Sequence, residues 1–169
     1  VVGEHRHALG MTRNGQAHEI ISGSCEIPNA PLWWPNTHGE QPLLPCRLEL
    51  SIGDNLVTID CGRIGFKSVQ LNRTNGAVEF IINGVPVFCR GACWTVNDIL
   101  ALAGSDESLR QKLQLARDAN INMLRIGGTM TYEQDAFFRL CDELGILVWQ
   151  DFMFANMDYP VADPDFHAS

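Results

Sequence analysis

The first part of the chain, from Val1 to about Gln70, alternates apolar and polar residues in short segments. These segments are rich in β-branched side chains, and none has the apolar spacing of a helix. Gly53, Asp54 and Asn55 separate two of them and are typical of a hairpin turn. The pattern predicts part of a β-sandwich, with strands in HEIISGSCEI, CRLELSI and NLVTIDC.

From Leu71 onward, apolar segments alternate with helical patterns. FIINGVPVF predicts a hairpin with an Asn-Gly turn, and VFCRGACW is a strand candidate. Two helices are predicted, in SDESLRQKLQLARDAN and in YEQDAFFRLCDELG; Ser105 or Asp106 caps the first, and Gly145 ends the second. INMLRI and ILVWQD are apolar enough for parallel strands that are covered on both faces.

The resulting order, β-α-β-α-β, is expected for an open parallel sheet or for the start of a barrel. A complete (β/α)8 barrel needs about 250 residues, whereas this chain has 169 residues in all. We therefore predict two partial domains. Residues 1–70 form part of a β-sandwich, and residues 71–169 form the N-terminal portion of a barrel.

Charge and hydropathy exclude two classes of partner. The net charge is −8, which argues against nucleic acid because phosphate binding needs a cationic surface. No apolar stretch approaches the about 20 residues that cross a bilayer, and the first residues lack the plan of a signal peptide. We expect no membrane partner and a cytoplasmic location.

Six cysteines lie at positions 25, 46, 61, 89, 93 and 141. None forms a Cys-x-x-Cys pair, and no histidine lies at zinc-binding spacing. We expect structural thiols in a reducing compartment, no metal and no cofactor; disulfides or a metal site are the alternative.

Polar residues end three of the predicted strands. Trp94 ends the first and Asp98 follows it, Arg125 lies near the end of the second, and Asp151 ends the third. Parallel sheets bind ligands at the carboxyl ends of their strands, and a charge in an apolar layer is costly unless it is paired. We expect Arg125 and Asp151 to pair and, with a tryptophan, to bind a sugar.

Each of these residues also has a purely structural interpretation. The Arg125–Asp151 pair could be a salt bridge at a barrel rim, Trp94 could be core, and Asp98 could cap a turn. Glu133 suits a helix N-terminus rather than catalysis.

Four separated stretches resemble glycoside hydrolase family 2, most closely its β-mannosidase-like branch. They cover most of residues 31–159 and read LWWPNTHGEQPL, IGFKSV, FIINGVPVFCRGACWTVND and LARDANINMLRIGGTMTYEQDAFFRLCDELGILVWQDFMFA. The resemblance implies a partial immunoglobulin-like β-sandwich followed by the first β-α-β-α-β units of a (β/α)8 TIM barrel. It also implies a retaining exo-β-glycosidase that hydrolyses terminal β-linked sugars, and therefore a carbohydrate partner.

Such enzymes use two glutamates, an acid/base and a nucleophile. The family's acid/base follows an asparagine, and the 169 residues contain no Asn-Glu pair. We therefore expect both catalytic glutamates after Ser169, no catalytic residue in this chain, and no activity of the chain alone. By resemblance, Arg125 supports the nucleophile electrostatically, and Trp94 and Asp98 line the sugar pocket with Asp151.

The chain departs from the family pattern at three places near this pocket. Cys93 stands for an asparagine, Val96 for a proline, and Thr129 with Met130 interrupts a Trp-Gly-Gly-Gly run. Mannoside, glucosaminide and galactoside specificities therefore remain open. A noncatalytic carbohydrate-binding or assembly module is the alternative function, and a truncated chain without an independent role is a third. An open barrel edge predicts self-association.

Overall fold

A computed structural model describes residues 1–8 and 24–168. The chain divides into two compact units, Val1–Trp33 with Pro42–Lys67, and Trp34–Gln41 with Ser68–Ser169. The predicted domain boundary after Gln70 stays a prediction. The regular elements are β1 Leu44–Ile52, β2 Asn55–Ile64, β3 Val69–Asn72, a 3-10 turn Thr74–Gly76, β4 Glu79–Ile82, β5 Val85–Val87, β6 Gly91–Trp94, α1 Asp106–Asp118, β7 Met123–Ile126, α2 Asp135–Leu144, β8 Leu147–Gln150 and α3 Pro164–Ala168.

The first unit contains the antiparallel hairpin of β1 and β2. Its turn places Ile52 opposite Asn55, and Gly53 has a φ of 58°, so the hairpin predicted there is confirmed. The predicted strand HEIISGSCEI lies mostly outside the described residues, and its residues 24–27 form no strand. The sandwich assignment of residues 1–70 stays a prediction.

The second unit holds two three-stranded sheets. The first has the order β3-β4-β5 and is antiparallel, and the Asn83-Gly84 turn of its β4–β5 hairpin is as predicted. The strand β3 was not predicted. The predicted strand VFCRGACW is wrong in its extent, because Val87 ends β5 and only Gly91–Trp94 forms β6.

The second sheet has the order β6-β7-β8 and is parallel, with α1 and α2 as its crossovers. The Ser105 side chain accepts a hydrogen bond from the Ser108 amide at the start of α1. At the end of α2, Gly145 has a φ of 73°, which favours glycine. The predicted β-α-β-α-β order is confirmed, whereas closure of the sheet into an eight-stranded barrel stays a prediction.

The core of the second unit lies between the parallel sheet and its two helices. Alternate residues of β7, Leu124 and Ile126, face this core, and Arg125 between them is exposed. Leu109 and Leu113 contribute from α1, and the remaining members are Phe137, Leu140, Cys141, Leu144 and Ile146. Among the described residues, no helix is both long enough and apolar enough to cross a membrane.

Candidate functional site

The register of the parallel sheet decides which side chains share a face. Cys93, Arg125 and Trp149 are paired across the three strands, and the next row contains Trp94, Ile126 and Gln150. Successive residues of a strand point to opposite faces. Because Ile126 is part of the helix-covered core, the row that contains Arg125 lies on the other face.

Arg125 and Asp151 contact each other at the carboxyl ends of β7 and β8. The distance from Arg125 Nη2 to Asp151 Oδ2 is 2.6 Å, and that from Nε to Oδ1 is 3.3 Å. The amide of Asp151 donates to the carbonyl of Ile126, which extends the β7–β8 ladder by one residue and fixes the backbone beneath the carboxylate. The predicted pairing is therefore confirmed, and its geometry is the two-pronged contact that arginine makes with carboxylates.

The pair keeps both of its members ionised. The hydrogen bond from Arg125 is the main cause that lowers the pKa of Asp151, and the Gly128 amide and the Trp149 side chain lower it further. The same hydrogen bond raises the pKa of Arg125, to which the neighbouring Cys93 thiol also contributes. The Arg125 side chain is 52% exposed, so a ligand could reach the guanidinium.

Trp149 is the aromatic side chain that shares this face with the charged pair. Its ring is 47% exposed and meets the ring of Phe80 edge-on, at 6.1 Å between centroids. Sequence reasoning did not select Trp149 as a site residue. Strand alternation could have found it, because Trp149 lies two residues before Asp151 and therefore on the same face.

Trp94 lies on the opposite face, against the helices. Its Nε1 donates a hydrogen bond of 2.8 Å to Oε1 of Glu133, and its ring lies 5.1 Å from that of Phe137. Glu133, which precedes α2, therefore accepts from an indole. The structure does not bring Trp94 to the Arg125–Asp151 pair, which favours the core interpretation, and its predicted contact with sugar stays a prediction.

Asp98 caps the turn that follows β6. Its Oδ1 accepts hydrogen bonds from the amides of Leu100 at 2.8 Å and Ala101 at 2.9 Å. Both hydrogen bonds lower the pKa of Asp98, and the bond from the Ala101 amide is the larger cause. The contacts match the alternative interpretation of Asp98 as a turn cap, and its role in binding sugar stays a prediction.

The loops that follow β7 and β8 approach each other closely at Gly128. A Cβ atom at this position would lie 2.7 Å from the carbonyl oxygen of Phe152 and 3.1 Å from the Cβ of Ala155. Real Cβ atoms do not come so near to backbone oxygen, so the approach requires glycine.

A cleft of about 330 Å³ opens between the loops that follow β6 and β7. The cleft is mainly apolar. Three of the residues that depart from the family pattern line it, namely Val96, Thr129 and Met130, whereas the fourth, Cys93, does not. Its lining consists of Thr95, Val96, Ile99, Leu102, Thr129, Met130 and Thr131. Within the described ranges, no group of three or more His, Cys, Asp or Glu side chains could hold a metal ion.

Comparison with known proteins gives close relatives. No protein-family model matches the chain. The β-mannosidase of Rattus norvegicus is 40% identical over 140 residues, which are 79% of this chain and 16% of that protein. The crystal structure of the β-D-mannosidase from Dictyoglomus thermophilum superimposes with a TM-score of 0.67 at 39% identity and covers 83% of this chain and 18% of that one.

A more distant structural neighbour is the exo-chitosanase of Amycolatopsis orientalis. It has a TM-score of 0.63 at 25% identity and covers 74% of this chain and 14% of that one. These likenesses define the class of protein: the chain is glycoside hydrolase-like. The chain belongs to glycoside hydrolase family 2, in its β-mannosidase-like branch. It spans 16% of the length of the rat relative.

Proposed function

We propose that this chain is part of a retaining exo-β-glycosidase that hydrolyses terminal β-linked mannosides. The observation that carries the proposal is the Arg125–Asp151 contact at the carboxyl ends of parallel strands, in a chain 40% identical to a β-mannosidase. Ligands of parallel α/β folds bind at that end of the sheet. We propose that the activity belongs to the whole protein, with its two catalytic glutamates outside these 169 residues.

In this proposal Arg125 acts on the charge of the nucleophile. A guanidinium beside a carboxylate favours its ionised form, which is the form that attacks the anomeric carbon. Asp151 fixes the direction of the guanidinium through two contacts, so Arg125 is held in place before the substrate arrives. The half-exposed Trp149 beside the pair offers an apolar surface of the kind that packs against a sugar ring.

The choice of a mannoside follows from the relatives. Identity is 40% with the rat β-mannosidase and 39% with the bacterial one, against 25% with the exo-chitosanase. Glucosaminides and galactosides are the competing substrates. The cleft lined by Val96, Thr129 and Met130 lies between the loops that follow β6 and β7. At these three residues the chain departs from the family pattern.

The test uses the whole protein that contains this chain and 4-nitrophenyl β-mannoside. We expect hydrolysis with the β-anomer as the first product in proton NMR, and faster turnover than with the β-glucosaminide or β-galactoside. Arg125→Lys should lower kcat by about 10²-fold or more, the scale seen when one group that stabilises transition-state charge is lost. Arg117→Lys, on helix α1, is the matched control and should leave kcat unchanged.

Two results would contradict the proposal. One is a whole protein that is inactive on every aryl β-glycoside; the other is an α-anomer as first product, which would exclude the retaining mechanism. We expect the purified 169-residue chain alone to show no turnover. Turnover by that chain, abolished by Arg125→Ala, would mean that it contains its own catalytic acids.

A noncatalytic carbohydrate-binding or assembly role is the second candidate function. The observation that favours it is a half-exposed tryptophan, Trp149, beside the paired Arg125. Binding of a β-mannoside by the chain in calorimetry, lost in Trp149→Ala, would support this role.

We also propose self-association through the edges of the β6-β7-β8 sheet, which sedimentation at several concentrations would detect.

A further inference from the structure

Two cysteines lie on adjacent strands of the β1–β2 hairpin, at a β-bulge. Pro45 pairs with Arg63 and Arg47 pairs with Asp60, so Cys46 faces the two residues between them, Cys61 and Gly62. Two residues opposite one define the bulge. Gly62 has a φ of 76°, a conformation that favours glycine, and its amide donates to the Asp60 side chain at 2.8 Å.

The two thiols interact across the hairpin. Burial is the main cause that raises the pKa of Cys46, and Cys61 adds to it through both charge and a side-chain hydrogen bond. Cys25 makes the smallest contribution to that pKa, through charge alone. Cys61 is one of the two residues that lie opposite Cys46 on the adjacent strand, and neither cysteine is bonded to another in the structure.

Residues that face each other across an antiparallel hairpin are within the range that a disulfide spans. Opposed residues of an antiparallel pair have Cα atoms about 4.5–5.5 Å apart, and disulfides usually join Cα atoms about 4.4–6.8 Å apart. Cys61 is exposed and Cys46 is partly buried, so a small reagent in solution can reach the pair at Cys61.

We propose that Cys46 and Cys61 are a dithiol that closes into a cross-strand disulfide when it meets a low-molecular-weight disulfide such as oxidised glutathione. The Cys61 thiolate attacks one sulfur of the oxidant, which breaks its S–S bond and releases one glutathione thiolate. Cys46 then loses its proton to water and attacks the Cys61 sulfur of the mixed disulfide, which releases the second glutathione. Two protein thiols are oxidised, and one disulfide is reduced to two thiols.

The disulfide would make the stability of the first unit depend on the redox state. It would tie β1 to β2 around residues 47–60 and restrict the unfolded hairpin. The proposal does not depend on the glycosidase activity. For Cys46 and Cys61 alone, it favours a disulfide over the expectation of permanently reduced thiols.

The test incubates the reduced 169-residue chain with oxidised glutathione and then alkylates the remaining thiols. Before alkylation, the oxidised chain should be about 2 Da lighter than the reduced chain, because one disulfide forms with the loss of two hydrogens; after alkylation, it should have alkyl groups on the other four of its six cysteines. Cleavage with trypsin and a Glu-specific protease separates Cys25, Cys46 and Cys61 onto different peptides, because cleavage sites lie between them in the sequence. The expected product is a linked pair of peptides that contain Cys46 and Cys61.

Variants distinguish this pair from its neighbour. Cys46→Ser and Cys61→Ser should each abolish the linked peptide, whereas Cys25→Ser should retain it. We also expect oxidation to raise the thermal midpoint of the first unit by about 5 °C or more. Two results on the unmutated chain would overturn the proposal. One is a disulfide that involves Cys25, and the other is no disulfide between Cys46 and Cys61 although the exposed Cys93 is fully alkylated. Because both are measured on the unmutated chain, they do not depend on how the variants fold.

Discussion

The hairpin β1–β2 and the parallel strand β7 both contain alternating apolar residues, but they bury them very differently. In β2, Leu56 and Ile59 are 64% and 48% exposed, and every residue of the strand before Ile64 is exposed. In β7, Leu124 and Ile126 are almost fully buried, because α1 and α2 cover that face of the sheet. The difference shows that alternation predicts a strand, whereas burial depends on a second layer that the strand's own sequence does not encode.

The contrast also bears on stability. An isolated two-stranded hairpin is marginal in water, and β2 is exposed before Ile64, whereas the β-α-β-α-β layer buries nine residues in one cluster. We expect amide hydrogen exchange to be fast in β1 and β2 and slow in β7 and β8.

The largest effect is expected from truncating the centre of the covered layer. Phe137 is fully buried on α2 and contacts the rings of Trp94 and Phe138. Phe137→Ala should lower the free energy of unfolding by about 3–5 kcal/mol, because it removes a buried ring and leaves a cavity. Urea unfolding measures this change in free energy, and amide hydrogen exchange in α2 provides a second measurement.

Phe138→Ala is the matched control for that experiment. Phe138 is adjacent on the same helix but 36% exposed, so its truncation should cost clearly less. Equal costs for the two variants would mean that the α2 face assigned to the core is wrong.

A smaller effect is expected at the amino-terminal end of β7, where Asn122 is buried. Its Nδ2 donates to Thr37 Oγ1 and to the Phe88 carbonyl, and its Oδ1 accepts from the Arg90 amide, at 2.9–3.0 Å. Asn122→Ala leaves these partners unsatisfied and should cost about 1–3 kcal/mol of unfolding free energy. Gln111→Ala, which removes an exposed amide from α1, should change stability by less than about 0.5 kcal/mol.

Local chemistry explains what could be predicted of these elements. The cap at Ser105, the stop at Gly145 and the Asn83-Gly84 turn depend on residues adjacent in sequence, and all three are present. The pairing of Arg125 with Asp151 followed from the cost of a lone charge at a strand end, and it is also present.

The features that the sequence could not predict have a non-local cause. The strand β3 has only four residues and exists through its pairing with β4, which a local pattern does not reveal. The face on which Trp94 lies depends on the register between β6 and β7. Within Gly91–Trp94 both Cys93 and Trp94 could face a core, so the short strand does not orient itself, whereas Leu124 and Ile126 orient β7 on either side of Arg125.

A weaker, pH-dependent effect is expected at the charged pair. The pKa of Asp151 is lowered in the fold, so the pair contributes stability that is fully present above the unfolded pKa of aspartate, about 3.9. That contribution is lost as the pH falls through the lower folded pKa. Asp151→Asn removes it, so the variant and the parent chain should differ in stability at pH 7 and converge towards pH 2.

Urea midpoints at these two pH values measure the convergence. The effect at pH 7 should be small because the pair is partly exposed to solvent. A constant difference between the two chains at both pH values would show that Asp151 stabilises through its neutral contacts rather than through its charge.

The smallest effect is expected in β2 of the hairpin, where every residue before Ile64 is exposed. Leu56 lies opposite Ser51 and is 64% exposed, so Leu56→Thr removes little buried area and keeps a side chain suited to a strand. The hydrogen-exchange stability of β2 should change by less than about 0.5 kcal/mol. The matched variant Ile126→Thr places a hydroxyl in the covered core and should destabilise β7 far more; similar costs in the two strands would mean that the hairpin is covered in solution after all.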